Sequence, residues 1–298
     1  MLLVDANDAV AAPVGGAWGL WGDWVERGVA PGAAELLSEA RAEARVGDLE
    51  SATETLDEAL LHFPSDPALL KARGVVFAEM GFTRAAELEF ERAAWLDPSC
   101  AGVWWALGTM RLALGLSMSA VEAFEHARML GGDDAELALL LARAYEDTGE
   151  LSDAGRHYTD AMALDPGAPA DLLLEAASVV ARIGEPTRVQ SRAALGWLER
   201  AEELAPDDVR VVLCRGRIHE QLDELEEAAQ AYEAALEIDH ECGAALLHLA
   251  LVSFEAGDDA RGAEALALAL ALEPDSERRE LLQTLFPERT AGEDGRDR

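Results

Sequence analysis

Lysine is almost missing from this chain: Lys71 is the only one in 298 residues. All basic residues together number 24, against 58 acidic ones, for a formal net charge of −34. A field of that sign repels phosphate backbones and anionic lipid surfaces, which argues against nucleic-acid and membrane-surface binding. It favours partners that carry basic patches. Cysteine is also scarce. Cys100, Cys214 and Cys242 stand far apart, with neither the spacing of a metal site nor that of a disulfide framework, which fits a reducing compartment. No apolar run is long enough to span a bilayer. The first residues lack a basic patch, and Asp5 and Asp8 interrupt their apolar stretch, unlike a secretory signal. A cytoplasmic location is the expectation. Alternating strand patterns are thin, whereas alanine, leucine and glutamate dominate, which predicts an all-α protein.

Signatures of catalysis are missing as well. There is no phosphate-binding or dinucleotide-binding glycine loop, no G-x-S-x-G elbow and no H-E-x-x-H. The six histidines are scattered, and the local group Asp239, His240, Glu241 and Cys242 falls at a turn without convergent partners. Acidic pairs such as Glu226–Glu227 are read as solvated surface. We expect no enzyme activity, no cofactor and no metal.

What is abundant is repetition. Pro64 and Pro98 lie 34 residues apart; Pro98 and Pro166, and again Pro206 and Pro274, are separated by twice that interval. Only Pro166 to Pro206 departs from the period, at 40 residues, which implies six inserted ones. Other rows keep the same phase. A small residue recurs at Ala40, Gly74, Gly108, Ala142, Ala176, Gly216 and Ala250. A large one recurs at Leu56, Phe90, Phe124, Tyr158, Leu198, Tyr232 and Leu266. Alanines flank it, as at Ala120 and Ala127. A mid-repeat glycine recurs at Gly47, Gly81, Gly115, Gly149 and Gly257. Small rows let two helices approach, the large row fills the space left, and glycine suits a left-handed helix end. The sixth unit has Asp223 in place of the turn glycine. In the fifth, the first helix is expected over 171–182, with 184–189 lengthening the turn.

These rows resemble the tetratricopeptide repeat (TPR), most clearly at Trp104, Leu107, Gly108, Ala120, Phe124 and Ala127. The resemblance covers about seven units over 33–275. It implies a right-handed α-solenoid of stacked antiparallel helix pairs, whose concave face is lined by the first helix of each pair and holds a peptide. Carried onto this chain by phase, the groove would be lined by Leu37, Lys71, Trp105, Leu139, Leu173, Leu213 and Leu247. The next turn of each helix would add Arg41, Thr109, Arg143 and Arg217. Apolar surface of that extent marks an interaction site. Phase alone does not separate the two faces of a first helix, so packing between units is the alternative role of those leucines. The lysine–asparagine clamp that some TPR proteins use on chaperone tails is incomplete here, since these first-helix places hold no asparagine.

The ends differ from the repeats. Residues 1–32 form an N-terminal arm or cap in which Trp18, Trp21 and Trp24 recur every three residues; they either cover the first repeat or reach a partner. Residues 276–286 read as a capping helix and 287–298 as a disordered tail. The expected function is a non-catalytic scaffold or adaptor that holds another protein or peptide, such as an amphipathic helix or a partner with basic patches. A dedicated chaperone or assembly factor, and a regulatory subunit of an enzyme, are the alternatives.

Overall fold

The computed structural model describes residues 32–132 and 134–272. The tryptophan-bearing segment, the helix expected over 276–286 and the tail lie outside the described residues. Within them the chain forms fourteen α-helices and no strand. The helices are α1 (Ala33–Arg45), α2 (Leu49–His62), α3 (Pro67–Glu79), α4 (Thr83–Leu96), α5 (Ala101–Ala113), α6 (Ser117–Met129), α7 (Ala135–Thr148), α8 (Leu151–Leu164), α9 (Ala170–Val180), α10 (Arg188–Leu204), α11 (Val209–Gln221), α12 (Leu225–Ile238), α13 (Gly243–Glu255) and α14 (Asp259–Leu272). The chain divides into two compact units, Met1–Leu164 and Asp165–Arg298. Unit 1 contains α1 to α8, and unit 2 contains α9 to α14.

Each unit is an α-solenoid stack built in the same way. The two helices of a pair pack together, and the second helix of one pair packs on the first helix of the next. First helices also meet one another, as α1 does α3, α5 does α7 and α9 does α11. Several helix starts are capped by an aspartate. Asp48 accepts from the Ser51 amide, Asp66 from Ala68 and Leu69, Asp134 from Leu137, and Asp208 from Arg210. Turns end the first helices through the left-handed region. Gly47, Gly81, Gly115, Gly149 and Gly257 all have φ between 71° and 84°. Asp223 takes the same conformation at φ 61°, one that aspartate tolerates better than most residues.

The small and large rows meet inside each pair. A Cβ built on Gly74 would stand 2.9 Å from the Phe90 ring, one on Gly108 2.6 Å from Phe124, and one on Gly216 2.5 Å from Tyr232. Real Cβ atoms do not come that close, so the aromatic ring occupies the space that a side chain would need. All seven large residues and the flanking alanines are buried. In the last pair the arrangement is exchanged: Gly262 of α14 receives the ring of Phe254 from α13.

The fifth pair corrects the expected boundaries. α9 ends at Val180, and α10 starts at Arg188, so Arg188 and Val189 belong to the helix and not to the turn. Thr187 and Gln190 form a capping box that starts α10 there. α10 has 17 residues where the other second helices have 13 or 14.

Lys71 sits in the core, 8% exposed. Burial lowers its pKa from 10.5 to about 7, with Arg41 adding to the effect and Cys100 and Asp97 opposing it. Between pH 7 and 10.5 the unfolded chain therefore binds more protons than the folded one, and stability rises with pH across that window. Below pH 7 the full cost of burying the ammonium is present.

Two sets of variants test this packing in chemical denaturation. Gly108→Ala is expected to lose about 1–3 kcal/mol through overpacking against Phe124, outweighing its helix-propensity gain. Gly196→Ala, in α10 with open space around it, is expected to gain about 0.5–1 kcal/mol. Lys71→Met is expected to stabilise at pH 7 by roughly 1–3 kcal/mol, with the gain shrinking towards pH 10. A gain that does not change with pH would rule out the titration account.

Candidate functional site

The residues expected to line a groove separate into two classes. Leu37 and Leu173 are fully buried and Lys71 nearly so. This corrects their expected role as exposed groove contacts: the meeting of α1 with α3, and of α9 with α11, turns those positions into packing between pairs. Trp105, Leu139, Leu213 and Leu247 are half-buried, as are Arg41, Thr109 and Arg143, while Arg217 is exposed. In unit 1, Trp105 flanks the same packed cluster as Trp104 and Leu140. The Thr109 hydroxyl donates to the Trp105 carbonyl at 2.9 Å.

In unit 2 the first helices line an open cavity of about 570 Å³. α9 supplies Asp171, Leu174, Glu175 and Ser178. α11 supplies Arg210, Leu213, Cys214 and Arg217. α13 supplies Ala244 and His248, and Tyr232 reaches in from α12. Of the residues anticipated from phase, Leu213 and Arg217 meet here.

The floor is apolar and the rim is charged. Leu174 and Cys214 are buried, and burial pushes the Cys214 thiol up to about 12. It therefore remains a neutral thiol at physiological pH. Arg210 is held by Asp208 at 2.6 Å and by Asp171 at 3.2 Å. Its hydrogen bonds also hold the Asp208 carboxyl below the usual carboxylate range. Arg217 donates to the Ala181 carbonyl at 3.2 Å. The neighbouring Gln221 amide donates to the Ile183 and Val180 carbonyls, tying α11 to the long turn after α9.

Two of the lining residues, Tyr232 and His248, form a polar trio with Glu220. The Tyr232 hydroxyl donates to Glu220 Oε1 at 2.7 Å, and His248 Nδ1 lies 3.0 Å from the same oxygen. The His248 ring stacks on Tyr232 with centroids 5.2 Å apart. Burial and the Glu220 carboxylate both push the Tyr232 phenol well above its ordinary value. Tyr232 thus keeps its proton and acts as a fixed donor. The repeat phase does not by itself join Glu220 to Tyr232 or His248. The signal was present: tyrosine replaces phenylalanine at the large place in only two units, and each time a glutamate stands twelve residues earlier. The other instance, Tyr158 to Glu146 in unit 1, is bonded at 3.2 Å.

A second, smaller hollow of about 370 Å³ lies in unit 1 beside Arg128, Asp134, His157 and Asp160. His157 is buried there, stacked on Tyr145 at 5.3 Å, and burial lowers its pKa. Among the described residues no three His, Cys, Asp or Glu side chains converge as a metal site would require, and no helix is long and apolar enough to cross a membrane.

The tetratricopeptide-repeat family model matches residues 107–169 and 190–241. No curated protein sequence matches the chain. Among solved structures, it is similar to the C-terminal part of a TPR repeat-containing protein from Cytophaga hutchinsonii, at 14% identity and TM-score 0.53, over 83% of this chain and 98% of that one. A tetratricopeptide repeat protein from Parabacteroides merdae aligns at 15% identity and TM-score 0.49, over 85% and 98%. MamA aligns at 21% identity and TM-score 0.46, over 59% and 96%. Sequence register, helix pairing and the family match agree: the chain carries tetratricopeptide repeats, matched over 107–169 and 190–241.

Proposed function

We propose that this chain is a non-catalytic scaffold that holds a segment of another protein against its first-helix face, with the cavity of unit 2 as the principal contact. The observation that carries the reading is that cavity: about 570 Å³, within the range of roughly 300–1,000 Å³ typical of ligand sites. Its apolar floor suits one or two large side chains, and its charged rim fixes polarity. Arg217 and His248 face an acidic or carbonyl group of the ligand, while Asp171 and Glu175 face a basic one. Trp105, Leu139 and Arg143 extend the same type of surface in unit 1. Leu247 and Thr109 are secondary contacts.

The side chains present favour binding over chemistry. Cys214 is the one nucleophile of the cavity floor, and it stays protonated. Glu220 is engaged by both Tyr232 and His248, so it orients the trio rather than receiving a proton from a substrate.

Blocking the cavity from its rim tests the proposal without disturbing the core. Ala244 is exposed, so Ala244→Trp is expected to fill the space and leave helicity unchanged by circular dichroism. Capture from native lysate, with Arg217→Glu as a second variant, should then lose the partner that wild type retains, at a cost of about 2 kcal/mol or more in affinity. Retention of the same partner by both folded variants would rule out the cavity as the contact.

The thiols give an independent check. Iodoacetamide at pH 8 is expected to label the half-buried Cys100 and Cys242 well before Cys214, which should react at an appreciable rate only after denaturation. Rapid labelling of Cys214 in the folded protein would contradict the protected, protonated thiol.

A further inference from the structure

The second helices of unit 1 carry an apolar ridge that repeat packing does not use. Leu61 at the end of α2 and Trp95 at the end of α4 are each 82% exposed, and Met129 at the end of α6 is 69% exposed. These residues stand 34 apart and so occupy one register place on three successive second helices. The fold makes no demand for an apolar residue there. At the same place the remaining four pairs have Ala163, Glu203, Glu237 and Ala271, and their helices pack in the same manner. The repeat thus provides its own control, and the ridge is a local addition. Exposed tryptophan, leucine and methionine in line mark a contact surface.

The surroundings decide what kind of partner fits. α2, α4 and α6 hold nine carboxylates against three arginines. Two arginines reach over from neighbouring helices, Arg73 to Asp57 and Glu89, and Arg111 to Glu87 and Glu91. Even with these counted, acid exceeds base by four. Glu54, Glu58 and Glu122, flanking the ridge, are exposed. A second copy of this chain would bring its own −34 charge against this surface, and a phosphate-bearing surface would be repelled for the same reason.

We infer that the Leu61–Trp95–Met129 ridge is a second docking surface, distinct from the first-helix face, and that its occupant is a basic amphipathic helix of another protein. Lysine or arginine on its flanks meets Glu54, Glu58 and Glu122, speeding encounter and making it salt-dependent.

The probes are two synthetic helical peptides with leucines on one face, one carrying lysines on its flanks and the other glutamates. Binding is read by fluorescence anisotropy against the full chain. Wild type is expected to bind the lysine peptide and not the glutamate one. A variant with Leu61→Ser, Trp95→Ser and Met129→Ser should weaken that binding by roughly tenfold or more. These positions are exposed, so folding should hold, as circular dichroism would verify. Leu204→Ser with Leu268→Ser removes exposed apolar groups elsewhere at the same net charge, and is expected to bind as wild type does. Equal binding by all three proteins would reduce the effect to bulk acidity and overturn the ridge. Absence of binding by wild type would overturn it as well. So would concentration-dependent self-association of wild type that the triple variant abolishes, which would make the occupant a second copy.

Discussion

Everything in this structure depends on how closely two helices of a pair approach. The ring of Phe124 lies where the side chain of residue 108 would have to be, and the same is true of Phe90 over Gly74 and Tyr232 over Gly216. Such contacts tolerate no added methyl, because a close-packed interior has no space to give. They set the separation of the two helices, and with it the surface each pair shows the next. The cavity of unit 2 inherits that geometry, since Tyr232 both fills the space above Gly216 and forms one wall of the cavity. Its hydroxyl group, reaching Glu220, is what the core residue adds to the binding face.

The charge follows a similar division of labour. Many arginines are used inside the stack, where Arg73, Arg111 and Arg261 each join two carboxylates on other helices or turns of the same unit. With the cations so committed, the outward field is set by the excess of aspartate and glutamate. That field narrows the class of partners for any surface of the protein. It also gives the exposed arginine at the cavity rim, Arg217, more weight than a single charge would have on a balanced surface.

Much of this fold could be read from the chain before its structure was known, because each repeat tests the others. The turn glycines were recognisable by their period, and even the exception, Asp223, keeps the left-handed φ that the period demands. The face of each first helix was less legible. Leu173 and Leu213 occupy the same place in successive units, yet one is fully buried and the other half-exposed. The difference comes from which neighbour covers them, and a 34-residue phase contains no information about that. The start of α10 was obscured by local competition. Gly184 and Pro186 signal a break, but the T-x-x-Q pattern at Thr187 begins the helix earlier than those breakers suggest. The cavity's polar trio was hidden for a further reason: tyrosine at a core place reads as packing until its hydroxyl finds an acceptor.

The long fifth pair has a bearing on how such a protein tolerates changes in length. Its extra residues enter between two helices of one pair, partly as turn and partly as added helix, and every row downstream resumes its phase at Ala194, Leu198 and Ala201. Insertions at these turns are therefore absorbed locally, without shifting the register of any other pair. The fold can acquire or lose loop length at one site while the contact surfaces on other repeats keep their composition and spacing, so each repeat is open to separate modification by insertion.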